Sequence, residues 1–274
     1  MLVFPNAKIN IGLKILRKRR DGFHDIESVF YPVQMRDMLE ILPAVVGLNT
    51  KKTEISVSGL KAPASPENLC FKAAHLFHER QRTPKVRIHL HKNIPLESGL
   101  GGGSSDAAYT LLALNDLYNC ALDKEVLLHF ASEIGSDCSF FIDNRPSLVT
   151  GKGNILEAIQ ISLQGYHLVI VFPSISMSTA TAYEMVIPSE EGLSLRELPQ
   201  LKPEQWKGKI LNRFEEVVFA RHPELGIIKE KLYESGAVYA SMSGSGSSIY
   251  GIFPKDPVLD EDLRAYKIHM EKMM

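Results

Sequence analysis

Residues 95–108 read Pro95-Leu96-Glu97-Ser98-Gly99-Leu100-Gly101-Gly102-Gly103-Ser104-Ser105-Asp106-Ala107-Ala108. Gly99, Gly101, Gly102 and Gly103 carry no Cβ, so this backbone can approach a ligand closely and take up positive φ. Ser104 or Ser105 is expected to cap the helix that the alanines open, with Asp106 in its first turn. The free N–H groups and the dipole at that helix end favour a phosphate group. A ligand-free hairpin is the plain alternative, but such a linker has no reason to run into a capped, alanine-rich helix start. Two other phosphate motifs fail on the letters. A Walker A loop needs Gly-Lys-Ser/Thr, and no lysine lies between Lys92 and Lys124. The dinucleotide fingerprint needs a third glycine where Ser104 stands.

Upstream of the loop, Val86, Ile88 and Leu90 alternate with Arg87 and His89 as a strand. Before it, Pro66-Glu67-Asn68 opens a helical pattern with Leu69, Ala73, Leu76 and Phe77 on one face. Strand-like stretches at 28–33, 38–42 and 54–57 come earlier. In 8–16, Ile9, Ile11, Leu13 and Ile15 alternate with Asn10, Gly12 and Lys14, a strand with one buried face and Lys8 on its polar side. Downstream, helices are expected over 104–118 and 124–134, and short strands at 140–142 and 155–159. Gln164-Gly165 marks a boundary before a buried strand at 167–172. Helices at 179–186, 210–220 and 224–234 follow, then strands 238–241 and 248–253 around a tight turn at 243–246, and a final amphipathic helix. The mixture shows no regular βαβ alternation, so the fold class is α+β. Residues 188–203, polar and proline-flanked, are expected as a mobile loop.

The chain has 274 residues, 45% hydrophobic and 23% charged, with net charge −1. That is the composition of a globular protein with a sizeable core, and it carries no global basic field for nucleic acid. Arg17-Lys18-Arg19-Arg20 precedes Asp21-Gly22 and reads as a solvated hairpin tip. Cys70, Cys120 and Cys138 are sparse and odd in number, which argues for a reducing compartment. Pro5, Asn6 and Lys8 interrupt any signal-peptide core, and the longest strongly apolar run, 168–172, is far too short to span a bilayer. A cytoplasmic protein that binds neither membrane nor nucleic acid is expected. His75/His78 and His89/His91 form pairs without an obvious third ligand, so no protein-held metal is expected.

The loop resembles that of the GHMP kinase superfamily, which includes galactokinase, homoserine kinase, mevalonate kinase and phosphomevalonate kinase. Its mark is a proline followed by a Gly-Leu-Gly-Gly-Ser-Ser-type loop entering a helix. Asn6-Ala7-Lys8-Ile9-Asn10, Asp21-Gly22-Phe23-His24, Gly135-Ser136-Asp137 and Ser243-Gly244-Ser245-Gly246 carry a closer resemblance. It is to the isoprenoid-pathway branch, whose members phosphorylate a cytidine diphosphate-linked sugar alcohol. These segments occur in that branch's order and spacing and cover nearly the whole chain.

The resemblance implies an N-terminal half like ribosomal protein S5 domain 2 (1–160), a ferredoxin-like C-terminal half (161–274), and a cleft between them for both substrates. It implies ATP as phosphoryl donor with Mg²⁺, a cytidine diphosphate-linked acceptor, and a monomer or weak homodimer. Asp137 matches the family's catalytic aspartate and Lys8 its catalytic lysine; a surface salt bridge and a helix cap are their ordinary readings. Pro95, Gly99, Leu100, Gly101, Gly102, Gly103, Ser104 and Ser105 match the ATP loop, with Mg²⁺ placed near Ser105. Asn68 matches a position near adenine, although a helix N-cap explains it equally well. Asn10, two residues beyond Lys8 on the same strand face, is placed to orient substrate. Phe23 and His24 stand where the family has Tyr-His against the cytosine, with Tyr183 on its other side and Thr179 one helical turn before it. Ser243, Gly244, Ser245 and Gly246 form the third motif, bracing the phosphate loop. Two departures stand out: Ser139 replaces a usual proline, and Asp106 adds a negative charge where some relatives have asparagine.

Overall fold

The computed structural model describes residues 1–44, 53–175 and 177–274. In chain order the elements are β1 (Leu2–Val3), β2 (Asn6–Lys18), β3 (His24–Arg36), β4 (Met38–Pro43), β5 (Glu54–Gly59), α1 (Leu69–Gln81), β6 (Val86–Lys92), α2 (Gly102–Leu117), α3 (Lys124–Ile134) and α4 (Cys138–Asp143). There follow β7 (Ser147–Thr150), β8 (Ile155–Ala158), β9 (His167–Phe172), α5 (Thr179–Met185), α6 (Phe214–Arg221), α7 (Pro223–Glu234), β10 (Tyr239–Met242), β11 (Ile249–Phe253), α8 (Glu261–Arg264) and β12 (Lys267–Lys272). Two units emerge. One comprises Met1–Ala7, Gln34–Leu96 and Gly101–Arg145, the other Lys8–Val33, Glu97–Leu100 and Pro146–Met274. No helix among the described residues is long and apolar enough to cross a membrane.

In the first unit the sheet β1-β4-β6-β5 is covered on one face by helices. Val86, Ile88, Leu90 and Lys92 of β6 point inward, and with Leu39 and Ile41 of β4 they meet Ala73, Ala74 and Phe77 of α1 and Leu111 and Leu114 of α2. Phe77, fully buried, lies edge-on to Phe130 of α3, with centroids 6.3 Å apart. Asn68 caps α1, its Oδ1 accepting from the Cys70 N–H at 2.9 Å. Both histidine pairs make local side-chain contacts. His89 bonds Ser56 and Ser58 on the neighbouring strand, and Ser58 also reaches His91. His78 bonds Thr83, and burial pushes its pKa down to about 4. Cys70 and Cys138 are buried and Cys120 half-buried, all three free. Burial pushes the Cys138 thiol up to about 12 and the Cys70 thiol well above its ordinary value.

The second unit holds the sheets β2-β3-β7-β8 and β10-β11-β9-β12. β9 runs between β11 and β12, antiparallel to both, and its near-continuous apolar run follows from burial of residues 168–172 on both faces. α5, α6 and α7 close this core through Ala182, Phe214, Val218, Leu225 and Ile228. The basic run forms an exposed tip between β2 and β3, where Arg17 and Arg19 pair with Asp25.

Several expectations need correction. β2 buries both faces from Asn6 to Leu13; its polar side is covered at Lys8 by Gly99 and Leu100, at Asn10 by Ser243 and at Gly12 by Leu195 and Ile210. Residues 140–142 lie in α4, not a strand; so short an apolar run fits either state. The C-terminal helix is the four-residue α8, after which the chain becomes the edge strand β12. The helix expected from residue 210 starts at Phe214. Residues 188–203 are anchored rather than loose: a 3₁₀ turn, Leu195–Gln200, buries Leu195 and Leu198, and Lys14 reaches the carbonyls of Glu190, Gly192 and Leu193.

Phe77→Ala should destabilise the protein by about 3–5 kcal/mol, the range for a large buried aromatic. Urea unfolding of parent and variant checks this, and an unchanged midpoint contradicts the packing described.

Candidate active site

Lys8 sits near the start of β2 with only 3% of its surface exposed. Its Nζ donates to Asn10 Oδ1 at 2.5 Å and to the Gly99 carbonyl at 3.1 Å, and lies 4.4 Å from the centre of the Phe30 ring. The backbone is tied as well, the Lys8 N–H donating to the Leu100 carbonyl at 3.0 Å. Asn10 is spent inside this network, since its Nδ2 donates to Ser28 Oγ at 2.9 Å and Ser28 in turn donates to the Gly12 carbonyl. Asn10 therefore orients the ammonium of Lys8.

Ser243 closes the same cluster. Its hydroxyl donates to the Gly99 carbonyl at 2.9 Å and accepts from the Asn10 N–H at 3.2 Å. Gly99, at φ +76°, has no room for a side chain: a Cβ would stand 1.9 Å from the Ser243 carbonyl oxygen. The turn is closed by the Gly246 N–H on the Ser243 carbonyl, and the Ser248 N–H donates to the Ser98 carbonyl. Gly244 packs against Gly99, and Ser245 Oγ shares a 2.9 Å hydrogen bond with Thr179 Oγ1.

In the first unit the loop enters α2 two residues earlier than expected. Gly101, left-handed at φ 69°, is the cap, and no side chain caps the helix. Ser104 and Ser105 are instead inside the first turn, and Asp106 lies beyond it. A Cβ on Gly102 would meet Ile94 at 2.8 Å and the Lys92 ammonium at 3.1 Å. Ser104 is half-exposed, whereas Ser105 is fully buried with its Oγ lacking a hydrogen-bond partner.

Asp106 is 2% exposed and accepts from Lys92 Nζ at 2.9 Å. Lys92 also donates to Asp37 at 2.5 Å, and Asp37 further accepts the N–H groups of Asn93 and Ile94. Asp37 thus has three donors, while Asp106 Oδ1 has none. Burial first, and then the Asp37 charge, push the Asp106 carboxyl up to about 7 against the pull of Lys92. Burial alone would lower the Lys92 pKa; Asp106 and Asp37 outweigh it and leave it raised. The sequence reading missed Lys92 and Asp37. Strand periodicity carried a signal, because Lys92 continues the buried series Val86, Ile88, Leu90.

The aromatic group lies in the second unit. His24 opens β3 and stacks on Tyr183 of α5, with centroids 5.1 Å apart and planes 20° off parallel. Burial, then the charge of Lys18, lowers the His24 pKa. Tyr183 rests edge-on against Phe214 at 4.9 Å. Phe23 is 56% exposed, and Lys152, from the turn between β7 and β8, places its ammonium 4.9 Å from the ring centre. Nothing in the local sequence pattern marked Lys152. Asp137 precedes α4 in the first unit, partly exposed, with Ser136 Oγ 3.5 Å from its carboxylate. Asn68 spends its amide on the Pro63 carbonyl as well as the α1 cap.

This set, a glycine loop at a helix start with a buried lysine on its carbonyl, defines the class. The GHMP kinases N terminal domain matches residues 68–148 and the GHMP kinases C terminal domain matches residues 195–272. The chain belongs to the GHMP kinase family and has its two-domain α+β fold. A 4-diphosphocytidyl-2-C-methyl-D-erythritol kinase from Parabacteroides distasonis is 45% identical over 256 residues, covering 93% of this chain and 92% of that one. One from Bacteroides thetaiotaomicron is 44% identical over 262 residues, covering 95% of each. Among solved structures, a 4-(cytidine 5'-diphospho)-2C-methyl-D-erythritol kinase superposes with a TM-score of 0.79 at 30% identity, covering 98% of both chains. The Methanococcus jannaschii mevalonate kinase, at 15% identity and TM-score 0.68, shares the fold.

Gly99→Ala should abolish activity, because its Cβ has only backbone to displace; activity near the parent's would refute the close approach. Asp106 adds a pH signature. Its folded pKa lies above its unfolded 3.8, so its contribution is full below that value and is lost as pH rises through about 7. Asp106→Asn should therefore flatten the fall in urea midpoint between about pH 5 and about pH 8. Parallel curves for parent and variant would show that Asp106 does not hold a proton in the folded state.

Proposed function

We propose that this protein transfers the γ-phosphoryl group of ATP to the 2-hydroxyl of 4-diphosphocytidyl-2-C-methyl-D-erythritol. The observation that carries the reading is the Lys8 ammonium, buried and fixed on Asn10 and on the carbonyl of Gly99 in the family's phosphate loop. High identity over nearly the full length to kinases of that name supports the acceptor.

Phosphoryl transfer needs little covalent help from a protein; positioning and charge stabilisation supply most of the acceleration. In this reading the 2-hydroxyl oxygen attacks the γ-phosphorus and its proton passes to the Asp137 carboxylate. The bond from γ-phosphorus to the β–γ bridging oxygen breaks, and ADP leaves. Lys8, held ready by Asn10, meets the charge spreading over the transferred group. The N–H groups at the start of α2, after Gly101, take the nucleotide phosphates, with Asn68 beside the adenine. Mg²⁺ arrives with ATP, and half-exposed Ser104 is better placed than buried Ser105 to meet it. Phe23 and Tyr183 flank the cytosine and His24 bonds its edge. The stacked pair His24–Tyr183 parts to admit the base, since rings 5.1 Å apart leave no gap for a third. Thr179 and residues 243–246 complete the acceptor side. The boundary between the two matched domains is proposed near residue 160.

The second reading is a GHMP kinase acting on mevalonate, homoserine or a sugar. The aromatic group at Phe23, His24 and Tyr183 disfavours it, because those acceptors carry no base to stack. ADP release measured with each acceptor separates the readings: turnover is expected with the cytidyl substrate alone, and turnover of mevalonate or homoserine without it overturns the assignment. Asp137→Asn should lower kcat by about 10²–10⁴-fold, the usual range for a lost general base, while ATP binding holds. A variant as fast as the parent would remove Asp137 from that role.

A further inference from the structure

Asn212 is an asparagine that no motif marks. It lies in residues 211–213, which run beside β2: the Leu13 N–H donates to the Leu211 carbonyl at 2.9 Å and the Arg213 N–H to the Leu13 carbonyl at 2.7 Å. Its side chain is buried, with 3% of the residue exposed. The two ends of the amide do different things. Nδ2 donates to the carbonyls of Met242 and Gly244, both at 2.8 Å, so each of its hydrogens is used. Oδ1 accepts the Phe214 N–H at 3.0 Å, at the start of α6. The next residue, Glu215, accepts at Oε1 the N–H of Met242 at 2.8 Å and the Ser241 hydroxyl at 2.9 Å. The backbone of Met242 is thus gripped at both its N–H and its carbonyl, immediately before the turn.

We infer that Asn212 is a positioning residue for phosphoryl transfer, its amide hydrogens fixing the turn at 243–246 so that Ser243 holds the Gly99 carbonyl on which Lys8 rests. Only an amide fits the role. Two buried carbonyls need two donors on one atom, while the neighbouring N–H needs an acceptor at the other end. A carboxylate keeps the acceptor and turns an oxygen towards both carbonyls, leaving Gly244 without its donor and Met242 with only a 3.4 Å contact from the Ser241 hydroxyl. Tyr183 is insulated from that change, because it packs on Phe214, whose N–H the carboxylate still accepts. The inference rests on the kinase reading above, not on the identity of the acceptor.

Asn212→Asp is the test, in steady-state kinetics of the full chain on whichever acceptor the parent turns over. The expected result is a kcat lowered about 10²-fold, the scale of a small misplacement in a reacting group. KM for the acceptor should stay within about twofold, since the base-stacking side chains keep their support. Asn212→Ala, which also loses the Phe214 contact, should lower kcat similarly and raise that KM. Pairing Asn212→Asp with Ser243→Ala should cost little more than either alone, because both act through one carbonyl. A kcat near the parent's in Asn212→Asp, or full additivity with Ser243→Ala, overturns the inference. Should Asn212→Asp fail to fold by circular dichroism, Asn212→Ala is read for kcat in its place, and parent-like turnover there overturns it equally. A parent that ignores the cytidyl substrate but turns over another acceptor would fail the substrate assignment and leave this test intact.

Discussion

The Gly99 carbonyl accepts the Lys8 ammonium from one side and the Ser243 hydroxyl from the other, while its own Cα lies against the Ser243 main chain with no space for a methyl group. Everything around it in the second unit conforms to that contact. β2 must bring Lys8 to it, so the Asn10 N–H meets Ser243 Oγ and the Asn10 carbonyl takes the Tyr250 hydroxyl at 2.8 Å. The turn must present Ser243, so Asn212 and Glu215 hold the residue before it. A buried ammonium is costly unless its hydrogens are satisfied, and the cluster meets that cost with oxygens from side chain and backbone together. The result is a cation whose position is set before any substrate arrives, the condition under which electrostatic stabilisation is most effective.

The first unit solves a related problem differently. Asp106 looked misplaced in the sequence, an anion just behind a phosphate-binding helix start. In the structure it turns inward to Lys92, which Asp37 also holds. With one cation between two carboxylates, the group with fewest donors keeps a proton near neutrality, and that group is Asp106. The extra charge of the loop is thereby muted, and the field at the helix start stays favourable to phosphate.

What the sequence disclosed follows the range of each interaction. The helix at 124–134 and the strand at 167–172 were legible to the residue, because amphipathic or fully apolar periodicity is local and Asp123 caps the former. α4 and β12 were misread: six residues cannot separate the two periods, and a strand that borrows its pairing from β9 carries little pattern of its own. In the site, alternation placed Lys8 and Asn10 on one strand face, but what covers them is distant in the chain: Gly99 and Leu100 for Lys8, and Ser243, 233 positions away, for Asn10. Lys92 was visible in principle as a lysine in step with buried valine, isoleucine and leucine. Lys152 and Asn212 were not, since neither periodicity nor composition distinguishes them from solvent-facing turn residues.

The three cysteines have a practical side. Cys70 and Cys138 lie within the packed core with thiols pushed far above neutrality. A thiol that stays protonated is a small apolar space-filler, inert toward electrophiles. Cys120, half-buried in the link between α2 and α3, is the one thiol of the three that is not fully buried. The native protein therefore carries a single built-in thiol attachment point for a fluorophore or spin probe, three residues beyond the end of the helix that begins at Gly102.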